Sequence, residues 1–260
     1  MALAGVASAD TVILEKNFVT ETGGDFISGT DGWNVYGYNK TYPTTDANRD
    51  TIFDVGINGI VNMANWNMSA IEHAITLNSA NLAAGEQYKI VYTTYAKGYE
   101  TANVFFLSSA AGSVAVGNSY NNTVQGGNDG ANKVVHFGYF DAATTKTFPC
   151  FQTNTGNNPT SALTCNSNGV NVYSSLTYTI ILTQTTISGT VTDGSKTGTF
   201  SATLEGGYNF DTLGFSLDGG SGNTGVKDIS IIKMAAAPEP TTATLSLLAL
   251  AGLAARRRRR

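Results

Sequence analysis

An all-β fold, built as a two-sheet antiparallel sandwich, is the architecture this sequence predicts, and three observations predict it. The 260 residues include 29 glycines, 35 threonines and 24 asparagines, a composition that opposes long helices and favours short strands joined by polar turns. Short segments repeatedly alternate or cluster β-branched and aromatic residues between turn signals. No self-similarity at a period of about 20 to 50 residues is visible, which disfavours a propeller or solenoid.

In chain order the expected strands are Thr11 to Phe18, Trp33 to Tyr38, Thr51 to Val61, Ala70 to Leu77, Tyr88 to Tyr95, Asn103 to Ser108, Ser113 to Val116 and Lys133 to Phe140. The series continues with Leu176 to Gln184, Thr186 to Thr192, Lys196 to Leu204, Thr212 to Leu217 and Val226 to Met234. The most legible stretch is a meander: Gln184-Thr185 joins the first strand to the second, and Asp193-Gly194 is expected as a two-residue type I′ turn into the third. One short helical turn is expected near Asn81 to Gly85.

This meander and the closing segment from Leu213 to Ile232 resemble the last third of a concanavalin A-like or laminin-G-like jelly roll, whose late hairpin ends in a D-x-S-I strand, here Asp228 to Ile231. The resemblance covers about 60 residues and rests on pattern rather than invariant residues. It implies a sandwich of which many relatives bind sugars, although fold does not fix function.

The two ends read as addresses. Residues 1–9 end in Ala7-Ser8-Ala9, like the last part of a secretory signal peptide, so the β-sandwich domain is expected over 10–234. Residues 235–260 carry Pro238-Glu239-Pro240, an uncharged stretch to Ala255, and the run Arg256, Arg257, Arg258, Arg259 and Arg260. As a helix, Thr241 to Ala255 spans about 22 Å, short of a hydrocarbon core of about 30 Å. The arginines would act as membrane-stop charges on the cytoplasmic side. This tripartite tail resembles the PEP-CTERM sorting signal of Gram-negative bacteria. The resemblance implies an exosortase-type processing protease and the inner membrane as partners, with delivery to the cell surface or extracellular matrix.

Net charge is −4, and five of the fifteen basic residues are that terminal run, so the remaining chain is more acidic still. Such a balance argues against nucleic acid as a partner.

Catalytic chemistry is not apparent. β-Glucanases that resemble this fold carry E-x-D-x-x-E to supply a paired nucleophile and acid, and none of Glu15, Glu21, Glu72, Glu86, Glu100, Glu205 or Glu239 begins that motif. No G-x-S-x-G or H-E-x-x-H occurs, and His73 and His136 are the only histidines. Asp46-Ala-Asn48-Arg-Asp50 opens like a calcium loop but lacks the later glycine and glutamate, having Thr51 and Ile57 there. Asp218, Asn223 and Asp228 form a second oxygen-rich group, for which an ordinary Asx-rich turn is the preferred reading. No metal site, cofactor or catalytic residue is therefore assigned.

Cys150 and Cys165 are the only cysteines, and in an exported chain they are expected to form a disulfide closing the intervening polar loop. Trp33 and Trp66, the latter among asparagines, are the candidate sugar-binding aromatics, because ring faces pack on sugar C–H groups while amides bond hydroxyls. Core packing is the competing role for each ring. Three functions stay open: an exported, non-catalytic surface or matrix protein that binds extracellular polysaccharide, a dedicated lectin-like module, and a secreted carbohydrate-active enzyme. Composition favours the first.

Overall fold

The computed structural model describes residues 9–26, 29–36, 53–63, 69–97, 102–108, 133–138, 150–155, 164–166, 168–171, 174–203, 209–217 and 222–236. Its strands are β1 (Thr11–Asn17), β2 (Gly24–Asp25), β3 (Trp33–Tyr36), β4 (Phe53–Gly56), β5 (Gly59–Asn62), β6 (Ser69–Asn78), β7 (Gln87–Ala96) and β8 (Ala102–Ser108). They continue as β9 (Lys133–Gly138), β10 (Cys150–Thr155), β11 (Thr164–Asn166), β12 (Thr177–Leu182), β13 (Thr186–Thr192), β14 (Thr197–Thr203), β15 (Asn209–Leu217) and β16 (Thr224–Met234). Single 3-10 turns cover Thr30–Gly32 and Ser79–Asn81.

The strands form a ten-stranded sheet, ordered β11-β14-β13-β12-β7-β16-β5-β4-β2 with β1 also on β16, and a six-stranded sheet, ordered β10-β9-β8-β15-β6-β3. Every pairing is antiparallel. Chain alternation explains why the sheets stack. Along β12, Tyr178, Ile180 and Leu182 are buried while Thr177, Thr179 and Ile181 are half-exposed, and β7 alternates in the same way. A strand with period two buries one face, and the two buried faces close on one another.

The centre of that core is aromatic. Tyr92 and Tyr178 stack at 4.6 Å, Phe215 lies edge-on to Tyr92 at 6.0 Å, and Trp33 lies 6.0 Å from Phe215. Gly189 makes room for Phe200, since a Cβ there would meet Thr179 O at 2.2 Å and the Phe200 ring at 2.6 Å.

Several expectations change at the level of turns and edges. The stretch from Thr51 to Val61 is two strands, β4 and β5, because Ile57-Asn58 turns the chain and Gly59 adopts φ +78° against Val226. The β13–β14 turn centres on Gly194-Ser195 rather than Asp193-Gly194. Asp193 N–H donates to Lys196 O, and Gly194 has φ +88° while Ser195 is not left-handed, the pattern of a II′ turn. The segment between the cysteines, expected as a loop, contributes edge strands β10 and β11. β15 and β16, expected as one late hairpin, instead lie in opposite sheets. The expected strand at Ser113 to Val116 and the C-terminal helix lie outside the described residues.

Candidate functional site

The outer face of the six-stranded sheet carries a row of positions fixed by strand register. On β6 the core side holds Ile71, Ile75 and Leu77, so Glu72, Ala74 and Thr76 belong to the outer face. Ala74 and Thr76 are exposed as expected, yet Glu72 is only 7% exposed. Glu72 pairs with Asn34 on β3 and with Gly214 on β15. Gly214 pairs in turn with Phe105, Phe105 with His136, and His136 with Gln152. Asn34, Glu72, Gly214, Phe105, His136 and Gln152 therefore share one row across all six strands, a span of about 24 Å at 4.7–4.9 Å per strand. The next row holds Tyr36, Ala70, Ser216 and Asn103.

Burial sets the chemistry of Glu72. Its Oε1 has no hydrogen-bond partner, and desolvation pushes its pKa up from 4.5 to about 8. At neutral pH the group is a carboxylic acid, able to donate one hydrogen bond and accept others. Asn34 beside it is exposed and adds an amide, and Gly214 on its other side is buried as Glu72 is. Such a set suits a neutral, hydroxyl-bearing ligand. Among the described residues no group of three or more His, Cys, Asp or Glu gathers to hold a metal. In these two rows of the face Glu72 is the one carboxylate, so the paired carboxylates of glycoside hydrolysis are not assembled there.

Trp33 is corrected by the structure: it is 0% exposed and faces the core. Its ring lies 5.2 Å from Phe18, edge-on, and 4.9 Å from the His73 ring. No ring face is left there for a sugar. His73 sits in the same core row, and its Nδ1 lies 2.6 Å from Ala74 O. Backbone pairing puts Cys150 opposite Gly138 at the edge of the six-stranded sheet and Cys165 opposite Phe200 at the edge of the ten-stranded one. Trp66, Pro238, Glu239, Pro240 and Arg256 to Arg260 lie outside the described residues, as do Asp46, Asn48, Asp50 and Asp218. Asn223 is half-buried in the approach to β16, and Asp228 lies on β16 just beyond a register shift.

Glu72 was not singled out by sequence reasoning. It occupies the polar phase of an alternating strand, which reads as solvent-facing. Only its tertiary surroundings reveal the burial.

No family model and no curated protein matches the chain. Solved structures do. A Bacillus subtilis protein of unknown function with a galectin-like fold superposes with TM-score 0.50 at 9% identity, over 86% of this chain and 99% of that one. The CBM2 module of an evolved Dit protein from Lactobacillus casei BL23 phage J-1 gives TM-score 0.50 at 11% identity, over 90% and 100% of the two chains. Winged bean acidic lectin, complexed with methyl-α-D-galactose, gives 0.48 at 10% identity, over 85% and 98%. At such identities the likeness concerns the fold alone: this chain is an antiparallel β-sandwich similar in fold to the galectin-like protein and the CBM2 module.

Proposed function

We propose that the chain is an exported, non-catalytic surface or matrix protein whose sandwich binds neutral polysaccharide on the outer face of the six-stranded sheet. The observation that carries this reading is the buried, uncharged Glu72 beside exposed Asn34 on that face. A protonated carboxyl and an amide supply donors and acceptors to sugar hydroxyls with no ionic cost. A fold shared with a galectin-like protein and a CBM2 module supports a sugar ligand.

The test is binding of residues 10–236 to a panel of soluble and insoluble glycans at pH 7. Retention on a neutral glycan is expected, weakened by Asn34→Ala and Glu72→Ala but preserved by the isosteric, neutral Glu72→Gln. Binding should fall as pH rises past about 8 in the parent protein and stay level in Glu72→Gln. Equal binding by Asn34→Ala and Glu72→Ala would move the ligand elsewhere. Saturable binding to one defined glycan would narrow the reading to a dedicated lectin.

Delivery belongs to the same proposal. The tail with Pro238-Glu239-Pro240 and the terminal arginines directs the chain through the inner membrane to an exosortase-type protease, which removes it. Mass spectrometry of surface material should then find a chain beginning near Asp10 and no peptide containing Arg256 to Arg260; an intact C-terminus would leave a simple anchor. In that oxidising setting Cys150 and Cys165 join the free edges of the two sheets. Maleimide should accordingly label neither in denatured, unreduced protein, and labelling of both would refute the bond.

A further inference from the structure

The first and last strands of the sandwich meet at one corner of the ten-stranded sheet. β16 ends there between β7 and β1, with Met234 opposite Gln87 and Lys233 opposite Thr11. The ladder stops at Met234, yet the chain stays bound for two more residues. Ala235 N–H donates to Asp10 Oδ1 at 2.9 Å, across 225 positions of sequence. Ala236 lies against Gly85, where an added Cβ would come within 3.0 Å of the Ala236 Cβ. Both alanines are half-buried.

The turn on the β7 side is itself held in place. Glu86 N–H donates to Ala83 O at 3.0 Å, and Glu86 Oε2 accepts from Ala83 N–H at 2.8 Å. The same oxygen lies 2.9 Å from Lys233 Nζ, one residue before the ladder ends. Gln87 Nε2 donates to Met234 Sδ at 3.5 Å. The root of the C-terminal tail is thus gripped by the residue that precedes β1 and by the turn that precedes β7. An endoprotease takes its substrate as an extended segment with free backbone groups on both sides of the cut. Bonds whose backbone is hydrogen-bonded and half-buried are therefore cut only after local opening.

We infer that Asp10 and the Ala83 to Glu86 turn form a latch that shields the chain from proteolysis as far as Ala236, so that trimming of the tail stops at a boundary set by the fold. The latch acts on any protease; as an account of maturation it rests on the sorting reading proposed above. The probe is pancreatic elastase, which cuts after small residues. It is applied to the full chain and to a synthetic peptide of residues 230–242, with mass spectrometry reading the Ala235–Ala236 and Ala236–Ala237 bonds. Both bonds should be cut at least about tenfold more slowly in the folded chain than in the peptide. Asp10→Ala, with an unchanged circular dichroism melt, should speed both cuts about two- to tenfold, the worth of one hydrogen bond. Glu86→Ala should speed them likewise, whereas Asp10→Asn, which keeps an acceptor oxygen, should stay near the parent rate. Equal rates in chain and peptide, no acceleration in folded Asp10→Ala, or acceleration as large in Asp10→Asn would overturn the latch. Surface material that retains Arg256 to Arg260 would count against the sorting reading alone and leave the elastase result standing.

Discussion

At pH 7 Glu72 holds a proton that a solvated glutamate would have released, because the folded chain removes water from an outer-face carboxyl without supplying a partner for Oε1. The unfolded chain titrates this group near 4.5 and the folded chain near 8. Between those values unfolding releases a proton, so stability is full below about pH 4.5, declines from there, and has lost this contribution by about pH 8. A shift of that size corresponds to on the order of 3–5 kcal/mol. Urea melts of Glu72→Gln should show a flatter pH dependence and higher stability at pH 9; a parent curve already flat from pH 5 to 8 would contradict the burial. Trp33 makes the opposite point, since its role is packing. Trp33→Ala should cost about 3–5 kcal/mol, and any loss of ligand binding in it should track the unfolded fraction rather than affinity.

Among the elements, the β13–β14 turn depends on one side chain. Asp193 accepts hydrogen bonds from the backbone N–H groups of Asn171, Lys196 and Ser195 and from the Ser195 hydroxyl, which holds its carboxyl well below the usual range. A depressed carboxyl contributes stability present above its unfolded value of 3.8 and lost as pH falls through the folded one. Asp193→Asn should therefore melt lower than the parent at pH 6 and differ less at pH 2; an unchanged melt at pH 6 would show the turn to be redundant. Gly189→Ala should destabilise by about 1–3 kcal/mol, because its Cβ collides with the neighbouring strand and Phe200. Central strands such as β7 and β12 were legible in the sequence because both their faces pattern with period two. β10 and β11 were not, since edge strands need pairing on one side only and this stretch is rich in Thr and Asn, residues that also read as turns. For the candidate site, Asn34 and Glu72 lie 38 positions apart in sequence, and only the β3–β6 register brings them together.

Taken whole, the molecule presents two outer faces of different chemistry on one antiparallel β-sandwich. The six-stranded sheet carries a buried acid in a mixed row, and the ten-stranded sheet carries paired threonines and serines over β13 and β14. The strands of both faces lie between Thr11 and Met234, so a protein of residues 10–236 carries both. The most direct test of the account is the glycan-binding screen of that protein at pH 7, with Glu72→Gln and Glu72→Ala measured beside it. The account predicts retention on a neutral glycan that survives Glu72→Gln and is lost in folded Glu72→Ala. A blank screen with verified folded protein, or binding indifferent to both substitutions, would contradict it.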